Sequence, residues 1–127
     1  MKIEWFSFKD NLSAVTIYAN NICLNKQASN YFEDAYAVAV GVDKETKNII
    51  IKNVSKEEVE TLKIDKNSLN KISIKTSYGR ITGKKLIDQI NGILKLDFSK
   101  QSAYKYDAKW NTGSKMLIIE CGGNENV

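Results

Sequence analysis

The sequence contains neither histidine nor proline, and among its 127 residues it has only two cysteines and one arginine. Without histidine, Ser-His-Asp and Cys-His nucleophile systems cannot be assembled, and the usual near-neutral acid-base group is missing. Two cysteines without histidine also cannot complete a tetrahedral metal site. The sequence therefore predicts a protein that is not an enzyme and that uses no metal and no cofactor.

Long hydrophobic runs are also missing. No apolar stretch approaches the roughly 18 residues of a membrane-spanning helix. Residues 1–10 carry Glu4 and Lys9 among their aromatics, which is not the apolar core of a secretory signal. A hydrophobic fraction of 43% and a charged fraction of 27% are typical of a soluble globular protein. We therefore expect one cytoplasmic domain, residues 1–127, with no membrane contact.

The two cysteines, Cys23 and Cys121, lie far apart, and each sits in an apolar stretch. A free cysteine in such a stretch of a cytosolic protein usually behaves as a small buried hydrophobe. We therefore expect both thiols to be buried and unreactive.

The first half of the chain alternates short apolar runs with polar turns. Residues 15–24 read as strand, turn and strand, broken at Asn20 and Asn21, and Asn25 is typical of the cap of a helix over residues 26–33. Residues 36–42 are apolar or small on both faces, which predicts a central strand. A polar tip over residues 43–48 and an isoleucine run over residues 49–51 complete a hairpin.

A connecting segment and a second series of the same elements follow. Ser55 and Glu58 form a capping box for a short helix, and residues 64–70 are polar and aperiodic. Residues 72–83 read as strand, turn and strand. A long amphipathic helix is indicated by Leu86, Ile87, Ile90, Ile93 and Leu94. Residues 104–110 and 116–121 form a hairpin around a turn at residues 111–114.

The two series share one order: strand, turn, strand, helix, hairpin. They cover residues 15–52 and 72–121, joined by residues 53–71, and a shift of about 59 residues aligns Ile22 with Ile81. The pattern predicts an α+β fold, a small, mostly antiparallel barrel built from two βαββ halves with one long amphipathic helix. The halves are expected to superpose about a pseudo-twofold axis.

Several residues resemble a known family motif. The second half carries Gly79, Arg80 and Ile81 before its helix, and the hairpin of the first half ends in an apolar strand followed by Lys52. This arrangement resembles the swapped-hairpin family of AbrB, MazE and MraZ. The resemblance implies two motif copies that exchange hairpins, here both in one chain as in MraZ-like members, and a bacterial transcription regulator or antitoxin.

The sequence departs from that motif, which has no counterpart of residues 1–13. The family's helix-opening proline is missing, with Asn25 and Gly83 near its position, and Asn21 stands where the first copy would have its arginine. These departures weaken the DNA-binding function that the resemblance implies more than they weaken the predicted order of the elements.

Positive charge is concentrated in the second half of the chain. Residues 1–60 hold 7 Lys against 9 Asp and Glu, whereas residues 61–127 hold 11 Lys and one Arg against 6 acids. Such an asymmetry is typical of a surface that faces a polyanion. A solvated, lysine-rich surface without a ligand is the alternative.

The entrance to the second helix is the strongest candidate for an anion site. Lys84 and Lys85 lie in its first turn, where the helix dipole disfavours cations by about 0.3–1 kcal/mol each, so a bound phosphate would explain them. Arg80, the only arginine, is the one residue able to make a bidentate contact with guanine or phosphate, or else it pairs with an acid. Lys75 and Lys26 are expected to assist.

Aromatic residues Tyr104, Tyr106 and Trp110 alternate with Lys105 and Lys109. Alternation of this kind describes a strand with one face in the core, which we prefer, but also a stacking platform for single-stranded nucleic acid.

The function predicted from these features is non-enzymatic binding of duplex DNA, as a transcription regulator of AbrB-like type. The alternative is a protein-binding module, such as an antitoxin, an inhibitor or an accessory factor of a mobile element. Either function is compatible with a homo-oligomer.

Overall fold

The computed structural model describes residues 1–4 and 12–122. These residues form an α+β fold in which eight antiparallel strands curl into a half-barrel with three α-helices. In chain order the elements are β1 Ala14–Tyr18, β2 Asn21–Asn25, α1 Lys26–Asn30, β3 Ala37–Val42, β4 Ile49–Val54, α2 Lys56–Leu62, a 3₁₀ turn Lys66–Ser68, β5 Ser73–Ile74, β6 Tyr78–Thr82, α3 Lys84–Leu94, β7 Ala103–Asn111 and β8 Met116–Ile119.

The strands are ordered β3-β4-β8-β7-β1-β2-β6-β5 across the sheet, and every pair of neighbours is antiparallel. Strands from the first and second series pair with each other at three places: β1 with β7, β2 with β6 and β4 with β8. Ile22 lies opposite Ile81 in the β2–β6 pair, and Ile50 lies opposite Ile118 in the β4–β8 pair.

The core consists of the side chains on the concave face of the sheet. Because successive residues of a strand point to opposite faces, every second residue of these strands faces inward. The fully buried ones are mostly isoleucine, leucine and valine from six strands, including Val15, Ile22, Ile51, Ile81 and Leu117. The apolar stripe of α3, formed by Leu86, Ile87 and Ile90, packs into the same cluster. Burial of this continuous apolar surface stabilises the packing of α3 on the curled sheet.

Local capping signals set the starts of two helices. The Asn25 side-chain oxygen accepts a hydrogen bond from the Ala28 N–H at 2.9 Å, and Ser55 and Glu58 form the predicted capping box of α2. Gly79 lets β6 pass close to α1, since a Cβ there would stand 3.1 Å from the Ser29 Cβ. These caps confirm the sequence predictions at Asn25 and Ser55.

Three predictions need correction. The strand over residues 36–42 was expected to be central, but β3 lies at the end of the strand order and has only β4 as a full neighbour. Cys23 and Cys121 are half-buried rather than buried. The first helix ends at Asn30, and residues 31–34 form a turn.

The sequence prediction for residues 1–10 falls largely on residues 5–11, which lie outside the described residues. No helix in the described part of the chain has both the length and the apolar character needed to cross a bilayer.

Candidate nucleic-acid interface

The convex face of the sheet carries a cross-strand row that includes the single arginine. Strand pairing places Thr16 opposite both Lys105 and Cys23, and Arg80 opposite both Cys23 and Ser73. The row therefore crosses five neighbouring strands in the order Lys105, Thr16, Cys23, Arg80, Ser73. We call the convex surface of β7, β1, β2, β6 and β5 the polar face.

The polar face has few carboxylates. The exposed charged residues of these five strands and of the β5–β6 turn are Lys75, Arg80, Lys105, Lys109 and Asp107. Lys109 lies in the part of β7 that pairs with β8, and its Nζ is 3.7 Å from the Glu120 carboxylate. The rest of the polar face therefore has three cations, Lys75, Arg80 and Lys105, and one acid, Asp107. Its other residues are mostly Ser, Thr, Asn and Tyr. A surface of this composition offers hydrogen-bond donors to phosphates while repelling few of them.

Arg80 lies midway along β6, the fourth of the five strands of the polar face. The side chain is exposed, and its Cζ lies 5.1 Å from the centroid of the Tyr78 ring, two residues earlier on the same face of β6. A cation over an aromatic ring is oriented without losing its charge. Among the residues that the structure describes, Arg80 forms no ion pair with an acid. The only electrostatic side-chain contact described for Arg80 is therefore with the Tyr78 ring.

Two predicted lysines lie at one end of the β2–β6 ribbon. Asn25, the last residue of β2, is paired with Tyr78, the first residue of β6, so Lys26 begins α1 at that end. The Lys75 N–H donates a 2.8 Å hydrogen bond to the Tyr78 carbonyl, which anchors the turn that carries Lys75 beside the same strand end. Both lysines are exposed.

The other two predicted lysines lie at the opposite end of the ribbon. Asn21 is paired with Thr82, and the Gly83 N–H donates to the Asn20 carbonyl at 2.9 Å just before α3 begins. Gly83 provides no side-chain cap for α3. The structure thus places Arg80 between two groups of lysines rather than bringing all five predicted residues into one cluster.

Lys84 and Lys85 have different surroundings. The Lys84 Nζ lies 3.4 Å from the Asp88 Oδ2, an exposed pair one helical turn apart. Such a pair is worth about 0.3–0.5 kcal/mol, which offsets much of the dipole cost and weakens the argument that a phosphate must explain Lys84. Lys85 lines a cavity of about 460 Å³ together with residues of β3 and of the loop before β5.

The sequence analysis missed Lys105 as a site residue. The sequence suggested two roles for it, as a polar residue of an alternating strand or as part of a single-strand stacking platform, because its position beside β1 depends on the non-local register that pairs it with Thr16. The only sequence signal was its place between Tyr104 and Tyr106, whose side chains face the other way.

The aromatic residues of β7 belong to the core side of the sheet. Tyr104, Tyr106 and Trp110 are half-buried and pack against the core cluster. The Trp110 ring stacks on Tyr31 at a centroid distance of 4.5 Å and meets the edge of Phe32 at 5.7 Å. Burial raises the pKa of Tyr106 to about 12, so its hydroxyl stays protonated at neutral pH. The core interpretation of this alternation is confirmed.

Within residues 1–4 and 12–122, no group of three or more Cys, Asp or Glu side chains is arranged to hold a metal ion. A scan against protein-family models gives no match, and searches of curated proteins and of solved structures return none either.

Proposed function

We propose that this protein is a non-enzymatic DNA-binding protein, a cytoplasmic transcription regulator that contacts duplex DNA with its polar face. The observation that carries the proposal is the position of Arg80, which is exposed, has no acidic partner among the described residues and lies midway along β6 on a face where cations outnumber carboxylates. Backbone phosphates supply most of the affinity of such a surface, and an arginine can add a bidentate contact to guanine.

The spacing of the charges supports a duplex as the ligand. The two ends of the β2–β6 ribbon are separated by four residues, or about 13 Å at the rise of a β-strand. The major groove of B-DNA is about 12 Å wide. Lys26 and Lys75 at one end and Lys84 at the other therefore suit the phosphates on either side of the groove, with Arg80 facing the base edges between them.

The finer architecture belongs to the same proposal: two βαββ halves that exchange hairpins, as in the AbrB-like family. The strand order supports it. If β1 is exchanged with β5, β2 with β6, β3 with β7 and β4 with β8, every pair of neighbouring strands except β1–β7 becomes a pair that the sheet also contains. The β1–β7 pair would become a β3–β5 pair, and a single bridge between Val38 and Asn70 occupies the corresponding position. The lysines just before the two hairpin return strands, Lys47 and Lys115, also share the left-handed conformation, with φ of 64° and 55°.

The test is binding to a fluorescent random-sequence duplex, measured by anisotropy at several salt concentrations. The double variant R80A/K75A should bind several-fold more weakly than the parent protein. If both residues neutralise phosphates, the slope of log affinity against log salt should also flatten by about 1.8, from about 0.9 for each phosphate contact.

The matched control is K44A/K56A, which removes two exposed lysines that lie in the β3–β4 turn and at the start of α2, away from the polar face. This control should retain the parent's affinity and most of its salt dependence. The proposal is wrong if the parent does not bind the duplex at low salt, or if the control weakens binding as much as R80A/K75A does. In the first case a protein partner becomes the better proposal.

A further inference from the structure

The two ends of the strand order, β3 and the chain just before β5, meet at a single bridge among the described residues. On one side, β1 and β7 are paired along five residue positions, from Ala14 opposite Asp107 to Tyr18 opposite Ala103. On the other side, β3 meets the segment before β5 only through Val38 and Asn70, whose N–H groups donate to each other's carbonyls at 2.9 and 2.8 Å. We call the gap between β3 and residues 70–74 the open seam.

The unpaired backbone groups along this seam can be assigned from the hydrogen-bond alternation. In an antiparallel pair, the N–H and C=O of successive residues point alternately toward and away from the neighbouring strand. The Asp43 N–H donates to Asn48 across the hairpin, whereas the Val38 N–H donates to Asn70 on the opposite side. Val40 and Val42 therefore direct their backbone groups into the open seam, where no backbone partner is present among the described residues.

Beyond the Val38–Asn70 bridge, the edge of β3 lacks several of the features that usually protect a free strand. Such edges are normally blunted by a lysine, a proline, a bulge or an inward-pointing charge. Residues Ala37–Val42 contain only alanine, valine and glycine, and they pair with β4 in regular register. The strand is thus competent to accept another strand beyond Val38.

A polar cavity of about 460 Å³ adjoins this edge. It is lined by Val40 of β3, by Asn67 and Asn70 of the loop before β5, and by Lys85 and Gln89 of α3. The side-chain amides of Asn67, Asn70 and Gln89 and the Lys85 ammonium have no hydrogen-bond or ion-pair partner within the described part of the chain. None of the described residues that line the cavity is acidic.

We propose that the open seam binds an extended segment of a partner protein that carries an Asp or Glu side chain. The segment would add as a strand to β3 through the backbone groups of Val40 and Val42, which is a common mode of peptide recognition. Carboxamide side chains complement peptide N–H and C=O groups, and Lys85 supplies the charge that a carboxylate requires. This inference does not depend on the DNA-binding proposal, since the polar face lies on other strands.

A second copy of the chain fits the seam less well. Pairing of β3 with another β3 would satisfy the backbone, but residues Ala37–Val42 contain no carboxylate to meet Lys85. The charge of the cavity therefore favours a strand that carries an Asp or Glu within it over the β3 strand of a second copy.

The experiment starts from a display library of random eight-residue peptides selected against the full-length protein. Enriched peptides should contain an acidic residue among β-branched ones. One of them, synthesised with capped ends, should bind the K85A variant about tenfold more weakly or worse. The K84A variant, which changes the adjacent exposed lysine, should bind it within about twofold of the parent, and so should R80A. Replacing the acidic residue of the peptide by its amide should cause a similar loss with the parent and little further loss with K85A.

Amide hydrogen exchange measured by NMR reports the position of the peptide. The Val40 and Val42 amides should exchange faster than the Val38 amide in the free protein and should become protected when the peptide binds. The proposal is overturned if no peptide is enriched, if K84A and K85A weaken binding equally, or if Val40 and Val42 gain no protection. Protection that rises with protein concentration alone would identify a second copy as the occupant and would also overturn it.

Discussion

At the scale of single residues, the two cysteines occupy opposite sides of the sheet. Cys23 lies on the polar face, in the same cross-strand row as Arg80. Cys121 packs against the core, where its thiol donates to the Ile119 carbonyl at 3.3 Å and burial raises its pKa. Since the thiolate is the nucleophile, a raised pKa lowers the thiolate fraction of Cys121 at neutral pH and slows its reactions with electrophiles.

We expect the Cys121 thiol to react slowly in the native protein. In a C23S variant, in which Cys121 is the only thiol, labelling with a maleimide at pH 7 should be at least about tenfold slower than in denaturant, because burial limits both access and thiolate formation. A C121S variant labelled under the same conditions reports Cys23 for comparison. Equal rates for Cys121 in the native and denatured states would contradict the raised pKa.

Residue features governed by near neighbours were predictable from the sequence. The caps at Asn25 and Ser55 depend on backbone groups three residues away, so the sequence contains both partners. That Arg80 has no acidic partner among the described residues could not be predicted, because its neighbour Cys23 comes from a strand far away in the chain. The Lys84–Asp88 ion pair could have been predicted from the sequence, since the two residues are one helical turn apart.

At the scale of elements, Glu58 joins the start of α2 to the β7–β8 turn. Its carboxylate accepts hydrogen bonds from the Ser55 N–H at 3.0 Å and from the Lys115 Nζ at 2.6 Å. The Lys52 Nζ lies 3.8 Å from the other carboxylate oxygen. The hydrogen bond from Lys115, with that from the Ser55 backbone, lowers the pKa of Glu58 to about 2. Because Lys115 is the last residue of the β7–β8 turn, the Glu58 side chain connects two parts of the chain that are far apart in sequence.

The Glu58 carboxylate should make folding stability depend on acid. A group whose pKa is lower in the folded state stabilises the fold at pH values above its unfolded pKa, here 4.5, and loses this contribution as the pH falls toward 2. We expect a loss of about 1 kcal/mol across this window, since the pair is partly exposed to solvent. In urea unfolding between pH 2 and 7, an E58Q variant should lack this component. The interpretation is wrong if E58Q and the parent lose stability in parallel.

The start of α3 permits a test that separates stability from binding. Gly83 has an extended backbone, and a Cβ there would make only an ordinary 3.6 Å contact with the Leu86 Cβ. A G83S or G83D variant should therefore gain a helix cap and about 0.5–1 kcal/mol of stability, measured by urea unfolding. If DNA phosphates approach this helix start, G83D should bind duplex more weakly than G83S despite similar stability. Equal DNA affinity of the two variants would place the phosphates elsewhere.

The position of β3 shows what a local pattern can and cannot predict. Apolar or small residues on both faces of residues 36–42 indicated correctly that both faces are covered near the start of the strand, where Ala37 and Val38 are buried. The pattern of side chains did not indicate which strands lie beside β3 in the sheet, because backbone hydrogen bonds between strands depend on the register of distant parts of the chain. A strand with two covered faces can therefore still lie at the edge of a sheet.

At the scale of the whole molecule, the two series of elements share one core. The three pairs β1–β7, β2–β6 and β4–β8 all join the first series to the second. Within one series, only the β1–β2 and β3–β4 hairpins, or their counterparts in the second, are paired. The order of elements was predictable from local periodicity. The pairings between the series could not be predicted from local pattern, and they determine both the polar face and the open seam.

This division of the pairings predicts how the chain behaves when it is cut. Fragments 1–63 and 64–127 separate the two series just after α2 and keep every strand and α-helix intact. Each fragment alone would expose the inward faces of its strands and leave its hairpins without the partners that complete the sheet, and isolated hairpins are at best marginally stable. We expect each to show little cooperative unfolding by circular dichroism.

Mixing the two fragments in equal amounts should restore a cooperative transition and a one-to-one complex, detected by size-exclusion chromatography with light scattering. The midpoint should rise with fragment concentration, because association is now bimolecular. As a control, the same experiment with I22D, which places a charge at the fully buried position opposite Ile81, should give no complex. If either fragment alone unfolds cooperatively as a monomer, its core is complete without the other series, and the hairpin-exchange architecture is wrong.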